Sequence, residues 1–366
     1  MSADELAARR AASGKLFSLQ LLRAVAATGV VVAHVRYDLF HHFALSKVLP
    51  GVLNAGTAGV DLFFVISGFV MVYSSESLFG RDRAAAIFLT RRVARIVPLY
   101  WLMSAVMIAY CAARGFAASD TGPAHVALSF LFIPYPRPSG EMSPVYGVGW
   151  TLNYEMFFYA VFALCLAARR EVTVVRVGIA LAVLAAAGGI WPGLPGALAV
   201  WADPIVLEFV LGMMLAVAYR RGVCVPVWAA APMLIAALGL ILAYNEWGTV
   251  LLPRWLGFGL TAALVVAAFA LMERDVAIGW FDRVGDASYA LYLCHPMVIA
   301  AARMLSLKGY IDPAAMPWAY LGGVTAASIG VALLLHRLVE APLNGWARRL
   351  LAALAAPREG ARAPIA

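Results

Sequence analysis

The sequence has 366 residues, of which 63% are hydrophobic and 13% charged, with a formal net charge of +8 and a mean hydropathy of +0.84. A soluble globular chain is about half apolar and about a quarter charged, so a water-soluble domain is excluded and the bilayer is the solvent this composition requires. The positive balance does not point to nucleic acid, because the basic residues form short clusters between apolar runs and no basic stripe with aromatic interleaving is present. Cys111, Cys165, Cys224 and Cys294 have neither disulfide nor zinc spacing, and no metal is expected.

In chain order, candidate spans lie at 17–36, 56–75, 92–113, 150–168, 172–191, 198–219, 226–244, 251–272, 284–304 and 317–338. The first follows a basic segment, but it is too long for a signal peptide and lacks a small-residue cleavage site; a retained helix is expected. The apolar stretch 124–134 is about half a span. Counting it as a crossing would place Arg169-Arg170 and Arg220-Arg221 outside, against the positive-inside bias. The expected fold is therefore an all-α polytopic protein of the bacterial inner membrane, with about ten transmembrane helices and both termini cytoplasmic. Residues 1–16 form an N-terminal segment, 17–340 the transmembrane domain and 341–366 a cytoplasmic tail, disordered from about Pro357. Residues 114–149 form an external loop with a short interfacial or re-entrant helix. Its Pro134-Tyr135-Pro136-Arg137 run suits a lid or an acceptor-binding segment.

Polar residues inside apolar spans carry the chemical information, since a charge at the bilayer centre costs about 2.5–3.5 kcal/mol and usually marks a site or pathway. Arg23 and His34 are eleven residues apart in the first span, close to three helical turns, so they share one face roughly 16 Å apart. Asp61, opening the second span, falls at the depth of His34, where a carboxylate orients an imidazole and stabilises its charged form. Glu155, one turn into the fourth span, is expected at the same level. Beside these, Ser67-Gly68 is read as a packing pair and Trp150 as an interfacial anchor. Arg91, Arg92 and Arg95 gather on the cytoplasmic side. Arg92 and Arg95 share a face, and two fixed guanidiniums suit a phosphate-bearing ligand as well as topology. His295 precedes Pro296, which frees a backbone carbonyl; it is a substrate-channel candidate. Cys294 points about 100° away from it, so a Cys–His nucleophilic pair is not expected. Glu340 is read as an interface charge.

Taken together, these segments resemble the bacterial membrane acyltransferase family 3, especially its exopolysaccharide-acetylating branch known from rhizobia. The matching pieces are Ser18–Ala27 through His34, Gly59–Phe69, Arg91–Trp101, Trp150–Tyr159 and Ser288–Pro296, in order, within residues 16–345. The resemblance implies a ten-helix fold that moves an acyl group, usually acetyl from cytoplasmic acetyl-CoA, to a sugar hydroxyl of a surface polysaccharide or lipid-linked glycan. It gives His34 the role of base or acyl relay, assisted by Asp61 or Glu155. It places Arg23, Arg92 and Arg95 on the acetyl-CoA side, and His295, Tyr154 and Asn153 along the substrate channel. Some family members carry a carboxy-terminal esterase-like domain, which is not expected here. Membrane lipid, other polysaccharide-export proteins or a second copy of the chain are further candidate partners. The rival readings are a flippase for a lipid-linked sugar, which needs repeated halves with broken helices, and a scaffold subunit of an export complex. A scaffold has no need of three titratable groups at one depth.

Overall fold

Apolar runs that cannot hydrogen-bond to solvent must satisfy their backbone internally, and the helix is the single-segment solution. The computed structural model describes residues 16–43, 45, 49–113, 122–137, 140–167, 169–191, 193–248, 252–273 and 278–355, with side chains to 350. Among them all named elements are helical. The N-terminal segment before residue 16 and the tail beyond 355 lie outside the described residues.

The principal helices are α1 (Phe17–Phe43), α2 (Gly59–Ser74), α3 (Ala84–Ala113), α4 (Pro123–Phe130), α5 (Trp150–Cys165), α6 (Arg170–Ile190), α7 (Leu207–Arg220), α8 (Val227–Ala243), α9 (Leu260–Ala270), α10 (Gly279–Asp286), α11 (Ser288–Leu307), α12 (Pro317–Leu335) and α13 (Ala341–Ala355). The expected spans fall on helical residues, but 198–219 is broken into Ala197–Trp201, a 3-10 turn Pro204–Val206 and Leu207–Arg220. Seven helical runs are long and apolar enough to cross a membrane; α5 and α7, with 16 and 14 residues, and the Trp255–Ala270 run are shorter. The chain is thus a polytopic helical membrane protein.

Two boundaries differ from expectation. A 3-10 segment, Gly51–Ala58, leads into α2. Helix α3 begins at Ala84, eight residues before the expected start at 92, so Arg91 lies inside it together with Arg92 and Arg95; the alanines at 84–86 are strong helix formers that draw the start forward. The expected short helix within 114–149 is α4. It is tied to α3, whose Tyr100 and Trp101 donate to the carbonyls of Ser129 (3.2 Å) and Phe130 (2.9 Å). Arg137 donates to Pro144 O at 2.5 Å, and the Tyr146 hydroxyl donates to Leu293 O of α11.

Helix α1 is the centre of the bundle, packed by α2, α10, α11 and α12. Glycine makes its contact with the α2 side close: a Cβ at Gly59 would collide with the Ala26 carbonyl, and one at Gly56 with Gly29. Helices α2 and α7 approach reciprocally, Gly68 lying against the backbone of Phe209 and Gly212 against that of Val65. Small residues on facing helices allow this approach without a hydrophobic drive between apolar surfaces. Pro98 in α3 cannot donate to Ala94 O; the Asn344 side-chain amide of α13 lies beside that carbonyl, and donates to it at 2.9 Å when its nitrogen is assigned to that side.

The same contact supplies a test. A Gly212→Leu substitution forces α2 and α7 apart, and overpacking of this kind costs about 1–3 kcal/mol. The thermal unfolding midpoint of the detergent-purified variant is expected to fall clearly; an unchanged midpoint would disprove the backbone contact.

Candidate active site

The interior is hollow where α1, α2, α3, α5 and α11 meet. The pocket there is partly open, spanning about 790 Å³ of non-atom space with the open solvent at its mouth included, and its polar wall includes Arg23, Arg92, Arg95, Glu155, Tyr159 and Ser288. Three guanidiniums face one carboxylate in the wall, with Glu340 and Asp286 also acting on Arg23 from behind it. Each arrives from its own helical register: Arg23 from α1, Arg92 and Arg95 three apart on α3, and Glu155 one turn into α5. Arg92 is buried; it donates to Ser74 Oγ at 2.7 Å and lies 5.5 Å over the Phe88 ring and 6.0 Å over that of Tyr159. Its Nε–H and the Ser288 hydroxyl are buried without partners. Unmet donors beside three guanidiniums are what a phosphate-bearing ligand satisfies.

Glu155 belongs to this cavity. Its Oε1 accepts from Ser67 Oγ at 3.1 Å and from the Tyr159 hydroxyl. Ser67 therefore faces the cavity while Gly68 does the packing, which corrects the reading of both as a packing pair. Glu155 sits with the arginines and not in a set with His34 and Asp61, because α5 turns the face carrying Thr151, Leu152, Glu155 and Tyr159 inward. Tyr154 and Asn153 fall on the other side of α5. Both are buried, Tyr154 against Phe64 (6.0 Å) and Trp150 (5.9 Å), and neither lines the cavity.

His34 is exposed, on the same face of α1 as Arg23 and three turns along. Its Nδ1 lies 2.8 Å from Val30 O. A carbonyl can only accept, so Nδ1 carries the proton and Nε2 presents a lone pair. The backbone thus does the orienting expected of a carboxylate. Asp61 is wholly buried and forms a fork with Arg254, at 2.9 Å to Nε and 2.6 Å to Nη2, rather than a contact with His34. Glu208 lies fully buried beside Asp61, its carboxyl within hydrogen-bonding reach of that carboxylate. The π-helical turn Trp255–Gly259 delivers Arg254 to this place.

His295 stands between cavity and His34. It is completely buried, its ring centroid 4.9 Å from that of His34 and 5.9 Å from that of Tyr292, whose side chain lines the cavity. Its Nδ1 turns to Leu291 O at 3.2 Å, and Nε2 has no partner. Cys294 is buried and its Sγ faces Leu291 O and Ser328 O, 3.9 and 3.8 Å away. Tyr292 takes a hydrogen bond from Thr151 (3.0 Å) and donates to Val148 O (2.9 Å). A row thus runs from the cavity through Tyr292 and His295 to His34.

Sequence reasoning missed Arg254, Glu208, Tyr159 and Tyr292. Glu208 carried the same signal as Glu155, a carboxylate one turn into an apolar run; Arg254 was marked by its place between Pro253 and Trp255. Glu340, expected as an interface charge, is buried and paired with His336 at 2.7 Å, because the π-helical turn His336–Glu340 rotates it inward.

A family model of the acyltransferase domain matches residues 16–337. The chain is 35% identical over 330 residues to the exopolysaccharide production protein ExoZ of Rhizobium meliloti (strain 1021), covering 88% of this chain and 98% of that protein. It is 31% identical over 374 residues to the acyltransferase MdmB of Streptomyces mycarofaciens, covering 90% of this chain and 91% of that protein. No solved structure matches. The family sets the flippase and scaffold readings aside. The chain belongs to acyltransferase family 3 and is a membrane-embedded O-acyltransferase.

Proposed function

We propose that this enzyme takes acetyl from acetyl-CoA on the cytoplasmic side of the inner membrane and places it on a sugar hydroxyl of an exopolysaccharide or its lipid-linked precursor. The observation that carries this reading is the convergence of Arg23, Arg92 and Arg95 on one cavity, joined by Tyr292 and His295 to His34. The chain crosses the membrane ten times with both termini inside, so the Arg23 end of α1 is cytoplasmic and the His34 end faces the acceptor. The similarity to an exopolysaccharide production protein supports the class of acceptor.

In this reading Arg92 and Arg95 hold the donor's phosphates, with Arg23 along the path of its pantetheine arm toward His34. Glu155 offsets part of the positive charge and fixes Tyr159 and Ser67. The His34 Nε2 lone pair takes the proton of the acceptor hydroxyl as its oxygen attacks the thioester carbonyl. The C–S bond breaks, and the departing thiolate receives that proton, leaving His34 neutral. His295, buried with its Nδ1 turned to Leu291 O, packs the imidazole in place. Asp61 serves with Arg254 as a clamp between α2 and the turn before α9, and acts on His34 only through the helix it fixes.

Two measurements test the scheme with protein in lipid nanodiscs, labelled acetyl-CoA and exopolysaccharide from a strain lacking the enzyme. His34→Ala is expected to lower transfer by about 10²–10⁴-fold while leaving acetyl-CoA affinity unchanged; undiminished acetylation, read by mass spectrometry of the polymer, would overturn the role of His34. Arg92→Gln with Arg95→Gln removes charge-assisted bonds of about 1.5–3 kcal/mol each. It is expected to weaken acetyl-CoA binding by at least about tenfold, and wild-type affinity in that variant would refute the donor site.

A further inference from the structure

The cavity between α1, α2, α3, α5 and α11 is chemically uneven along its length. Helix α2 lines it with one face, from Val60 through Phe63, Ser67 and Val70 to Met71, a distance of about 16 Å along the axis at 1.5 Å per residue. The Met71 end is the charged one. Arg92 donates to Ser74 just beyond it, and the charged neighbours of Arg23 are Arg95, Glu340, Asp286 and Glu155. Among the described residues no cation lines the other end, where Val60, Phe63, Phe64, Thr151, Leu152 and Tyr292 meet. Arg254 is committed to Asp61 and does not line the cavity.

The apolar end is also closed, and its polar groups are already satisfied. Val60, Phe64, Thr151, Leu152 and Tyr292 are buried, whereas Arg23 and Arg95 keep part of their surface exposed, so the arginine end is the open one. The Thr151 hydroxyl donates to Tyr292 Oη at 3.0 Å, and the Tyr292 hydroxyl donates to Val148 O at 2.9 Å; both protons are used. A carboxylate placed there finds neither a cation nor a free donor, and Glu155, one turn from Thr151 on α5, repels it. Length is limited too. The Tyr292 ring meets Phe63 edge-on with centroids 6.2 Å apart, and His295 is packed behind it at 5.9 Å.

We infer that this apolar end is an acyl pocket that admits a short uncharged acyl group and excludes a dicarboxylic one, with Tyr292 as the residue that limits chain length. The pocket rests on the reading of Arg92 and Arg95 as the phosphate site. From there an extended pantetheine arm along α2 brings the thioester to this end, at the head of the row of rings leading to His34. Displacement of labelled acetyl-CoA from the full chain in nanodiscs tests the pocket, with acetyl-CoA, butyryl-CoA, succinyl-CoA and free CoA as competitors. On wild type, butyryl-CoA is expected to compete about tenfold more weakly than acetyl-CoA, the effect of overpacking by two methylenes. Succinyl-CoA is expected to compete at least about a hundredfold more weakly, because its carboxylate is buried unpaired. Tyr292→Ala is expected to bring butyryl-CoA level with acetyl-CoA and to leave succinyl-CoA excluded, whereas Tyr292→Phe keeps the ring and the preference for acetyl. Three results would each overturn the pocket: butyryl-CoA or succinyl-CoA matching acetyl-CoA on wild type, butyryl-CoA admitted by Tyr292→Phe, or butyryl-CoA still excluded by a Tyr292→Ala protein that binds free CoA normally. Free CoA separates the failures. Equal competition by every acyl-CoA that disappears with Arg92→Gln and Arg95→Gln sinks only the pocket, whereas binding of free CoA untouched by those changes sinks the donor reading.

Discussion

Everything in this fold is arranged around keeping three guanidiniums and a carboxylate in the middle of an apolar bundle. Charges removed from water are stable only when paired or hydrogen-bonded, and each helix round the cavity contributes to that. Ser74 of α2 and the rings of Phe88 and Tyr159 support Arg92; Ser67 of α2 and Tyr159 support Glu155. The close α2–α7 contact at Gly68 and Gly212 belongs to the same arrangement, because it sets the face of α2 that carries Ser67. What stays unmet, the Nε–H of Arg92 and the hydroxyl of Ser288, is the part of the wall left to a ligand.

The imidazole at the other end is handled differently. Its tautomer is set by the carbonyl one turn back, at Val30, and its neighbour is a second, fully buried imidazole. Arg23 and His34 thus stand three turns apart on one face of α1, with Tyr292 and His295 leading from the cavity to His34. A carboxylate beside His34 would raise its basicity but would also compete for the proton. The arrangement leaves Nε2 as a neutral acceptor, suited to proton transfer in both directions during one turnover.

Much of this was legible in the sequence. The helical class, the placing of helical segments along the chain and the alignment of Arg23 with His34 follow from hydropathy and from the 3.6-residue period, which are local properties. The arginines at 92 and 95 could be assigned to one face for the same reason. Which neighbour each polar group meets was not legible, because depth along a helix does not fix rotation about it. Asp61 and Glu155 were expected at the level of His34, but α2 turns Asp61 toward Arg254 and α5 turns Glu155 into the cavity. Asn153 and Tyr154 miss the cavity by the same rotation. The π-helical turns before α9 and after α12 shift side chains in a way that no periodic reading anticipates.

The bond between Asn344 and Ala94 has a wider meaning for how the cavity wall is held. Proline 98 leaves a gap in the backbone ladder of α3 one residue from Arg95, and it is closed by a residue nearly 250 positions later in the chain. A contact from this far along the chain therefore bears on the stretch of α3 that carries Arg95 into the cavity wall.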